Sequence, residues 1–134
     1  MIVVDTNIVS YLYLSGDRSR SSEELLIYDA QWTAPILWLS EFRNILALYL
    51  RKNILNLDDA LSITRQAEQL LADNTYEVSS THVLELVNNS QCSAYDCEFV
   101  ALAQHLNIPL ITADKKLLQA FPSIAVTIES YISI

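Results

Sequence analysis

The chain has 134 residues, of which 51% are hydrophobic, and it contains one glycine and three prolines. This length fits one domain of common size, and the composition excludes a low-complexity chain or a flexible linker. The formal net charge of −8 excludes a protein that coats nucleic acid through a basic face, but it allows an enzyme that binds nucleic acid at one local site.

We expect residues 1–134 to form a single cytoplasmic domain with no membrane segment. No apolar run approaches the roughly 18 residues that a membrane span requires, and the N-terminal residues lack the segments of a signal peptide. Cys92 and Cys97 are predicted to be free thiols, because together with His82 and His105 they do not have the spacing of a zinc site. A regulatory disulfide between the two cysteines is the less favoured alternative.

The order of the predicted elements indicates an α/β fold. Apolar runs, helical spacing and breaker residues predict strands over 2–4, 32–34, 76–78, 108–111 and 125–128. The predicted helices cover 6–14, 23–28, 35–51, 57–72, 93–106 and 114–120. One more helix follows the third strand, is capped by Ser79 or Ser80 and ends at about residue 87. A break is predicted at 15–17. Strands that alternate with helices imply βαβ units, a parallel sheet and an α/β sandwich. Because ligands bind outside the carboxyl ends of the strands in such sheets, the residues that follow each strand are candidate site residues.

Two of the acidic residues occupy such positions, and a third lies at the start of a helix that leads into a strand. Asp5 and Asp114 follow the first and fourth predicted strands, and Asp96 lies in the first turn of the helix that precedes the fourth strand. Each also has a purely structural interpretation. Asp5 and Asp114 can cap a helix, and Ser93 with Asp96 fits a capping box.

Glu41 is harder to explain as a structural residue. Positions 36–50 are mostly apolar, and an ionised glutamate facing the interior is costly unless it is paired or metal-bound. Arg43 is an unsuitable partner, because residues two apart point to different sides of a helix. A distant arginine, or a narrow exposed stripe shared with Asn44, remains as an alternative.

Taken together, the four acids predict a metal pocket. Parallel topology brings the ends of the first and fourth strands to one sheet edge, where several carboxylates would raise each other's pKa. A divalent cation relieves this repulsion, and carboxylates, water and phosphate oxygens are the ligands that Mg²⁺ prefers. One or two such ions support phosphodiester cleavage by activated water. Thr6, Asn7 and Thr112 are supporting polar residues, with ordinary capping as the alternative.

The motifs at these positions resemble those of the PIN domain, and in particular a VapC-type toxin ribonuclease of a type II toxin–antitoxin system. The resemblance covers essentially the whole chain and rests on the order and spacing of Val3-Val4-Asp5-Thr6-Asn7, Ser40-Glu41, Ser93-Ala94-Tyr95-Asp96 and Leu110-Ile111-Thr112-Ala113-Asp114. It implies a three-layer α/β/α sandwich with a central, mainly parallel sheet of about five strands.

The resemblance also implies a Mg²⁺- or Mn²⁺-dependent endoribonuclease that is a homodimer and is inhibited by a cognate antitoxin. It makes Asp5, Glu41, Asp96 and Asp114 the acidic pocket. Asp5 and Asp96 would be the main metal ligands, and Glu41 and Asp114 are further candidates. Glu98 is a weaker candidate, because it lies on another face of the same predicted helix.

The basic residues give a first prediction of how RNA is held. Arg18, Arg20, Lys115 and Lys116 are candidates for RNA-phosphate contacts at the rim of the cleft, and a solvated surface without a role is the alternative for each. The apolar face of the helix over 35–51, with Trp38, Leu46 and Tyr49 as members, is predicted to be core rather than a dimer or antitoxin surface.

Two other functions compete with an endoribonuclease. A phosphoacceptor receiver domain has acids at strand ends, a threonine and a lysine, to which Thr112 and Lys115 would correspond. It also needs a pair of acids after the first strand and an acid after a middle strand, whereas Asp5 is followed by Thr6 and the strand over 76–78 by a serine. The other alternative is a degenerate PIN domain that only binds a partner. A nucleotide-hydrolysing enzyme is less favoured still, because the one glycine of the chain cannot form a glycine-rich phosphate cradle.

Overall fold

Five short strands form one parallel sheet in the computed structural model, which describes residues 1–14 and 16–133. The strands are β1 (Ile2–Val4), β2 (Trp32–Pro35), β3 (Thr75–Tyr76), β4 (Leu110–Ile111) and β5 (Ala125–Val126). Their order across the sheet is β3-β2-β1-β4-β5, and each neighbouring pair is parallel. The predicted α/β class and the number of strands are confirmed, and the sheet is entirely parallel rather than mainly so.

Helices connect and flank the strands. They are α1 (Thr6–Tyr13), α2 (Ser19–Tyr28), α3 (Leu37–Arg51), α4 (Leu57–Leu70), α5 (Ser80–Asn88), α6 (Ala94–Leu106), α7 (Lys115–Ala120) and α8 (Ile128–Ile132). Because crossovers between parallel strands are right-handed, the strand order assigns α1–α4 to one face of the sheet and α5–α7 to the other. The packing agrees, since α1 contacts α2 and α3, whereas α5 contacts α6. Within the described part of the chain, no helix combines the length and the apolar character needed to cross a membrane.

The core lies on both faces of the sheet. All three residues of β1 are fully buried, which is why this strand is a continuous apolar run rather than an alternating one. Trp38 and Leu46 are buried, so their prediction as core is confirmed, whereas Tyr49 is only partly buried. Cys92 and Cys97 are buried free thiols, as predicted.

Several predicted boundaries are wrong where tertiary contacts override local pattern. Helix α2 begins at Ser19, four residues before the predicted start, because the buried Ser22 hydroxyl donates to the Ile8 carbonyl at 3.0 Å and holds this polar segment against α1. Pro35 belongs to β2, where it pairs with Tyr76, and α3 starts only at Leu37.

The remaining corrections concern short elements. Strand β3 ends at Tyr76 rather than at residue 78, β4 starts at Leu110 rather than at residue 108, and α4 ends at Leu70. The last strand ends at Val126, because Thr127 caps a helix, α8, that the sequence did not predict. The predicted break begins at Ser15, which lies outside the described residues, whereas the Ser79 cap of α5 is confirmed.

Candidate active site

A cavity of about 560 Å³ opens at the carboxyl ends of β1 and β4. These two strands are neighbours, with Val4 opposite Ile111, and the Asp5 amide continues the pairing by donating to the Ile111 carbonyl at 3.2 Å. The chain runs from β1 outward to β2 and β3 in one direction, and returns to β4 and β5 on the other side. The cavity therefore lies where the strand order reverses, which is where parallel α/β sheets bind ligands.

All four acids that the sequence singles out line this cavity, which we call the acidic cavity. They come from the end of β1 (Asp5), from α3 (Glu41), from the first turn of α6 (Asp96) and from the residue before α7 (Asp114). Thr6 and Asn7 line it as well. Thr112 does not line the cavity; it is fully buried, and its hydroxyl donates a hydrogen bond to Asp5.

Asp5 is both a helix cap and a buried acid. Its Oδ1 accepts the Ile8 amide at 3.1 Å, which caps α1, and its Oδ2 accepts a hydrogen bond from the Thr112 hydroxyl. Burial raises the pKa of Asp5 to about 6. The Thr112 and Ile8 hydrogen bonds oppose this rise in pKa, whereas the carboxylates of Asp114 and Glu41 add to it.

Glu41 finds its partner on α1 rather than in a distant arginine. The Thr6 hydroxyl donates to Glu41 Oε1 at 2.7 Å, so Thr6 supports Glu41 although it directly follows Asp5. Burial raises the pKa of Glu41, the Thr6 hydrogen bond lowers it and the nearby Asp96 carboxylate raises it. The predicted stripe shared with Asn44 exists, but it faces the acidic cavity.

Asp96 and Asp114 are held by local capping bonds. The Ser93 hydroxyl accepts the Asp96 amide at 3.1 Å, and Asp114 Oδ1 accepts the Lys116 amide at 2.8 Å. Burial raises the pKa of Asp96, and the carboxylate of Asp114 raises it further. The Ser93 hydrogen bond and the ammonium of Lys116 lower it. The hydrogen bonds that cap α6 and α7 therefore also hold these two acids at the acidic cavity.

Three polar residues of the acidic cavity were not predicted as site residues. Ser40 and Asn44 line it from α3, and the exposed Tyr95 lines it beside Asp96. The signal for Asn44 was present in the sequence, because a residue three positions after Glu41 lies on the same helix face. Tyr95 directly precedes Asp96, and only the packing of α6 against the sheet decides that both reach the cavity.

Of the four residues predicted to bind RNA phosphates, Arg18 and Lys116 lie near the acidic cavity, whereas Arg20 and Lys115 are not among the residues that line it. Arg18 lines a second cavity next to the acidic cavity, and Lys116 lies close enough to lower the pKa of Asp96. Arg20 pairs with Glu24 at 3.3 Å along α2, and Lys115 is exposed at the start of α7. Glu98, the weaker candidate, lines a different cavity, next to Ile36 and Tyr76.

The residues around the acidic cavity fit a hydrated divalent cation. Within residues 1–14 and 16–133, no three side chains of the types that ligate metals converge on a single point closely enough to enclose an ion by themselves. Burial and neighbouring carboxylates nevertheless raise the pKa values of Asp5, Glu41 and Asp96, and a cation would relieve the repulsion between the carboxylates. Mg²⁺ keeps several waters and takes one or two protein carboxylates together with substrate phosphate oxygens, so it suits an open site of this kind.

Comparison with known proteins assigns the fold to a family. The PIN domain family profile matches residues 2–121. The chain belongs to the PIN domain family. A Pyrobaculum aerophilum protein named Ribonuclease VapC3 is 25% identical to this PIN domain over 126 residues, which cover 92% of this chain and 96% of that protein.

Solved structures agree with the PIN fold. A toxin–antitoxin complex from Klebsiella pneumoniae contains a chain that superposes with a TM-score of 0.72 at 20% identity, covering 96% of this chain and 98% of that one. FitAcB from Neisseria gonorrhoeae superposes with a TM-score of 0.74 at 18% identity, covering 95% and 96% of the two chains. The resemblance seen in the motifs is thus confirmed, and the receiver-domain alternative is set aside.

Proposed function

We propose that this PIN domain is an endoribonuclease that uses Mg²⁺ or Mn²⁺ to hydrolyse RNA phosphodiester bonds. The observation that carries the proposal is the convergence of four carboxylates from four separate parts of the chain on one open cavity at the strand-reversal point. Acids that raise one another's pKa in an accessible cleft indicate a functional site rather than a structural one. The name of the Pyrobaculum relative gives the substrate class.

The proposal gives each acid a role. Asp5 and Asp96 would hold the cation, and Glu41 and Asp114 would add negative charge around it. A bound divalent cation would supply the positive charge that polarises water and stabilises the leaving oxygen. Thr112 keeps the Asp5 carboxylate oriented through the hydrogen bond to Oδ2.

Glu41 is the group that we assign to proton transfer. Its pKa is raised by burial, which moves it toward the range in which a carboxylate works as a general base near neutral pH. Thr6 occupies Oε1, so Oε2 takes the proton from the attacking water. Lys116 lies near enough to Asp96 to lower the pKa of that carboxyl, and we assign it to contact a phosphate of the RNA.

The wider proposal follows from the family. We infer that the protein is the toxin of a toxin–antitoxin pair, that an antitoxin protein inhibits it and that it acts in the cytoplasm as a homodimer. The toxin–antitoxin complex among the structural neighbours supports the antitoxin partner. A hydrophobic cluster that extends from Ile2 to Ile128 supports the prediction that residues 1–134 form a single domain.

RNA cleavage by matched variants tests this proposal. We expect Asp5→Asn and Asp96→Asn to lose Mg²⁺-dependent cleavage of total RNA by at least about 100-fold. Asp73→Asn is the control, since Asp73 is exposed in the turn after α4 and has a φ of 65°, which asparagine also adopts. It makes the same change of charge outside the acidic cavity and should cleave as the wild type does.

The alternative, a PIN domain that only binds a partner, predicts a different pattern. In that case the wild-type protein would neither cleave RNA nor bind Mg²⁺ in a calorimetric titration. Full cleavage by purified Asp5→Asn or Asp96→Asn would instead show that an enzyme is present but that its site has been assigned to the wrong residues.

A further inference from the structure

A second cavity adjoins the acidic one and has a different chemistry. It measures about 400 Å³ and lies between α1, the start of α2 and the second half of α3. Asn7 and Ile45 line both cavities, so the two form one continuous cleft. A volume of this size lies in the range of sites that hold a small organic group.

The second cavity contains aromatic rings and a cation. Tyr11 and Tyr49 line it, and the Arg18 guanidinium carbon lies 5.8 Å from the centre of the Tyr11 ring. A contact of this kind orders an exposed arginine without neutralising its charge. Among the salt bridges between described residues, Arg18 takes no part. It is therefore available to an anion from solution.

Tyr11 connects the two cavities electrostatically. Burial raises the pKa of the Tyr11 phenol, the Arg18 guanidinium lowers it, and the Asp5 carboxylate raises it. The phenol therefore lies close enough to both Asp5 and Arg18 for the two charges to affect its pKa in opposite directions. A ligand that follows the cleft would pass from the catalytic acids to an aromatic and basic surface.

These features suit single-stranded RNA in an otherwise acidic protein. Bases of single strands stack on aromatic side chains while cations follow the phosphates, and arginine is well suited to phosphate recognition. Asp17 also lines the second cavity, and its carboxylate suits an exocyclic amino group of a base. With a net charge of −8, the protein needs such a local site to hold RNA beside its acids.

We propose that the second cavity binds one unpaired nucleotide next to the scissile phosphate, with its base against Tyr11 and Tyr49 and its phosphate on Arg18. The inference rests on the proposed endoribonuclease function and adds a subsite that selects where the RNA is cut. An RNA whose flanking base is paired, and therefore held in a helix, does not fill this cavity.

Removal of single bases from the substrate tests the proposal with the wild-type protein. After the cut site is mapped on total RNA, short oligoribonucleotides are made in which each base flanking the cut is replaced in turn by an abasic ribose. We expect one such position to lower kcat/KM by about tenfold, because base–aromatic stacking has about that effect. The same abasic substrate should cause no further loss in Tyr49→Leu, whereas Tyr49→Phe keeps the aromatic ring and should still show the abasic loss.

The phosphate contact is tested separately. Arg18→Ala should lower kcat/KM by about tenfold and reduce the slope of log affinity against log salt by about one. Arg65→Ala, an equal change of charge at an exposed position of α4, should leave both quantities unchanged.

The outcomes separate this inference from the function on which it rests. If the wild-type protein cleaves RNA but no flanking abasic position matters, or if the abasic loss is the same in Tyr49→Leu, the nucleotide subsite is wrong and the endoribonuclease stands. Equal behaviour of Arg18→Ala and Arg65→Ala would remove the phosphate contact. No cleavage by the wild-type protein would overturn both proposals.

Discussion

Asp5 shows how one residue serves the fold and the site together. As the cap of α1 it accepts the Ile8 amide, and as a member of the acidic cavity it is only 8% exposed. The two roles conflict energetically, because a buried carboxylate disfavours its own ionised form. The hydrogen bond from Thr112 offsets part of this cost, and a cation would offset more.

This conflict predicts how Asp5→Asn changes stability with pH in the metal-free protein. The pKa of Asp5 is about 6 in the folded state against 3.8 as its ordinary value. The folded state therefore binds more protons between these two values, and its stability falls as pH rises through about 6. Because asparagine does not titrate, the wild type should lose about 1–2 kcal/mol relative to Asp5→Asn between about pH 5 and pH 7.5.

Urea unfolding with a chelator present, at several pH values, measures this difference. Asp73→Asn serves as the control, since it changes charge at an exposed position and should follow the wild-type profile. Parallel profiles for the wild type and Asp5→Asn would show that the carboxylate is already compensated in the free protein.

At the scale of elements, the N-terminal cap of a helix determines where an acid of the cavity lies. Asp96 projects into the acidic cavity because Ser93 ends the preceding loop and caps α6, with the Asp96 amide donating to the Ser93 hydroxyl at 3.1 Å. Helix α5 begins in the same way at Ser79, whose hydroxyl accepts the His82 amide at 3.4 Å. Helix α5, however, contributes no residue to the acidic cavity.

These two caps form a matched pair for mutation. Ser93→Ala and Ser79→Ala should each lower the free energy of unfolding by about 1 kcal/mol, the usual effect of removing a helix cap. Only Ser93→Ala should also lower kcat/KM for RNA, by about tenfold, because a small displacement of a site residue is costly to catalysis. Denaturant unfolding and initial cleavage rates measure the two effects. Equal activity of the variants would mean that packing alone positions Asp96.

At the scale of the whole molecule, the protein has excess negative charge, and part of that charge is concentrated at the acidic cavity. The chain has 16 acidic and 8 basic residues, and four of the acids meet at one cavity. Divalent cations can therefore act in two ways, by general screening of the surface charge or by binding at the acidic cavity. Only binding at the cavity requires particular carboxylates.

Thermal unfolding at constant ionic strength distinguishes these effects. Mg²⁺ at about 100 times its Kd should stabilise the wild type by about 2.7 kcal/mol, which is a rise in Tm of roughly 10 °C for a domain of this size. Asp73→Asn should gain as much as the wild type does, whereas Asp96→Asn should lose most of the gain. The same rise in all three proteins would mean that Mg²⁺ only screens the net charge.

The sequence alone was sufficient for the features that depend on near neighbours. Apolar strands that alternate along the chain with amphipathic helices predicted the α/β fold. The sequence also located Asp5, Asp96 and Asp114 relative to the nearest strands and helices. The PIN motifs were recognisable for the same reason, since strand ends and helix caps depend on a few consecutive residues. The site roles given to these acids stay predictions until variants are assayed.

The tertiary structure decided what depends on residues far apart in the chain. It paired Thr112 with Asp5 across 107 residues and Thr6 with Glu41 across 35. It also revealed α8 and the second cavity, and it shortened strands such as β3 that have only two residues and so show no periodicity. The physical reason is that strand order and helix packing are set by burial of both faces of the sheet, which involves the whole chain at once.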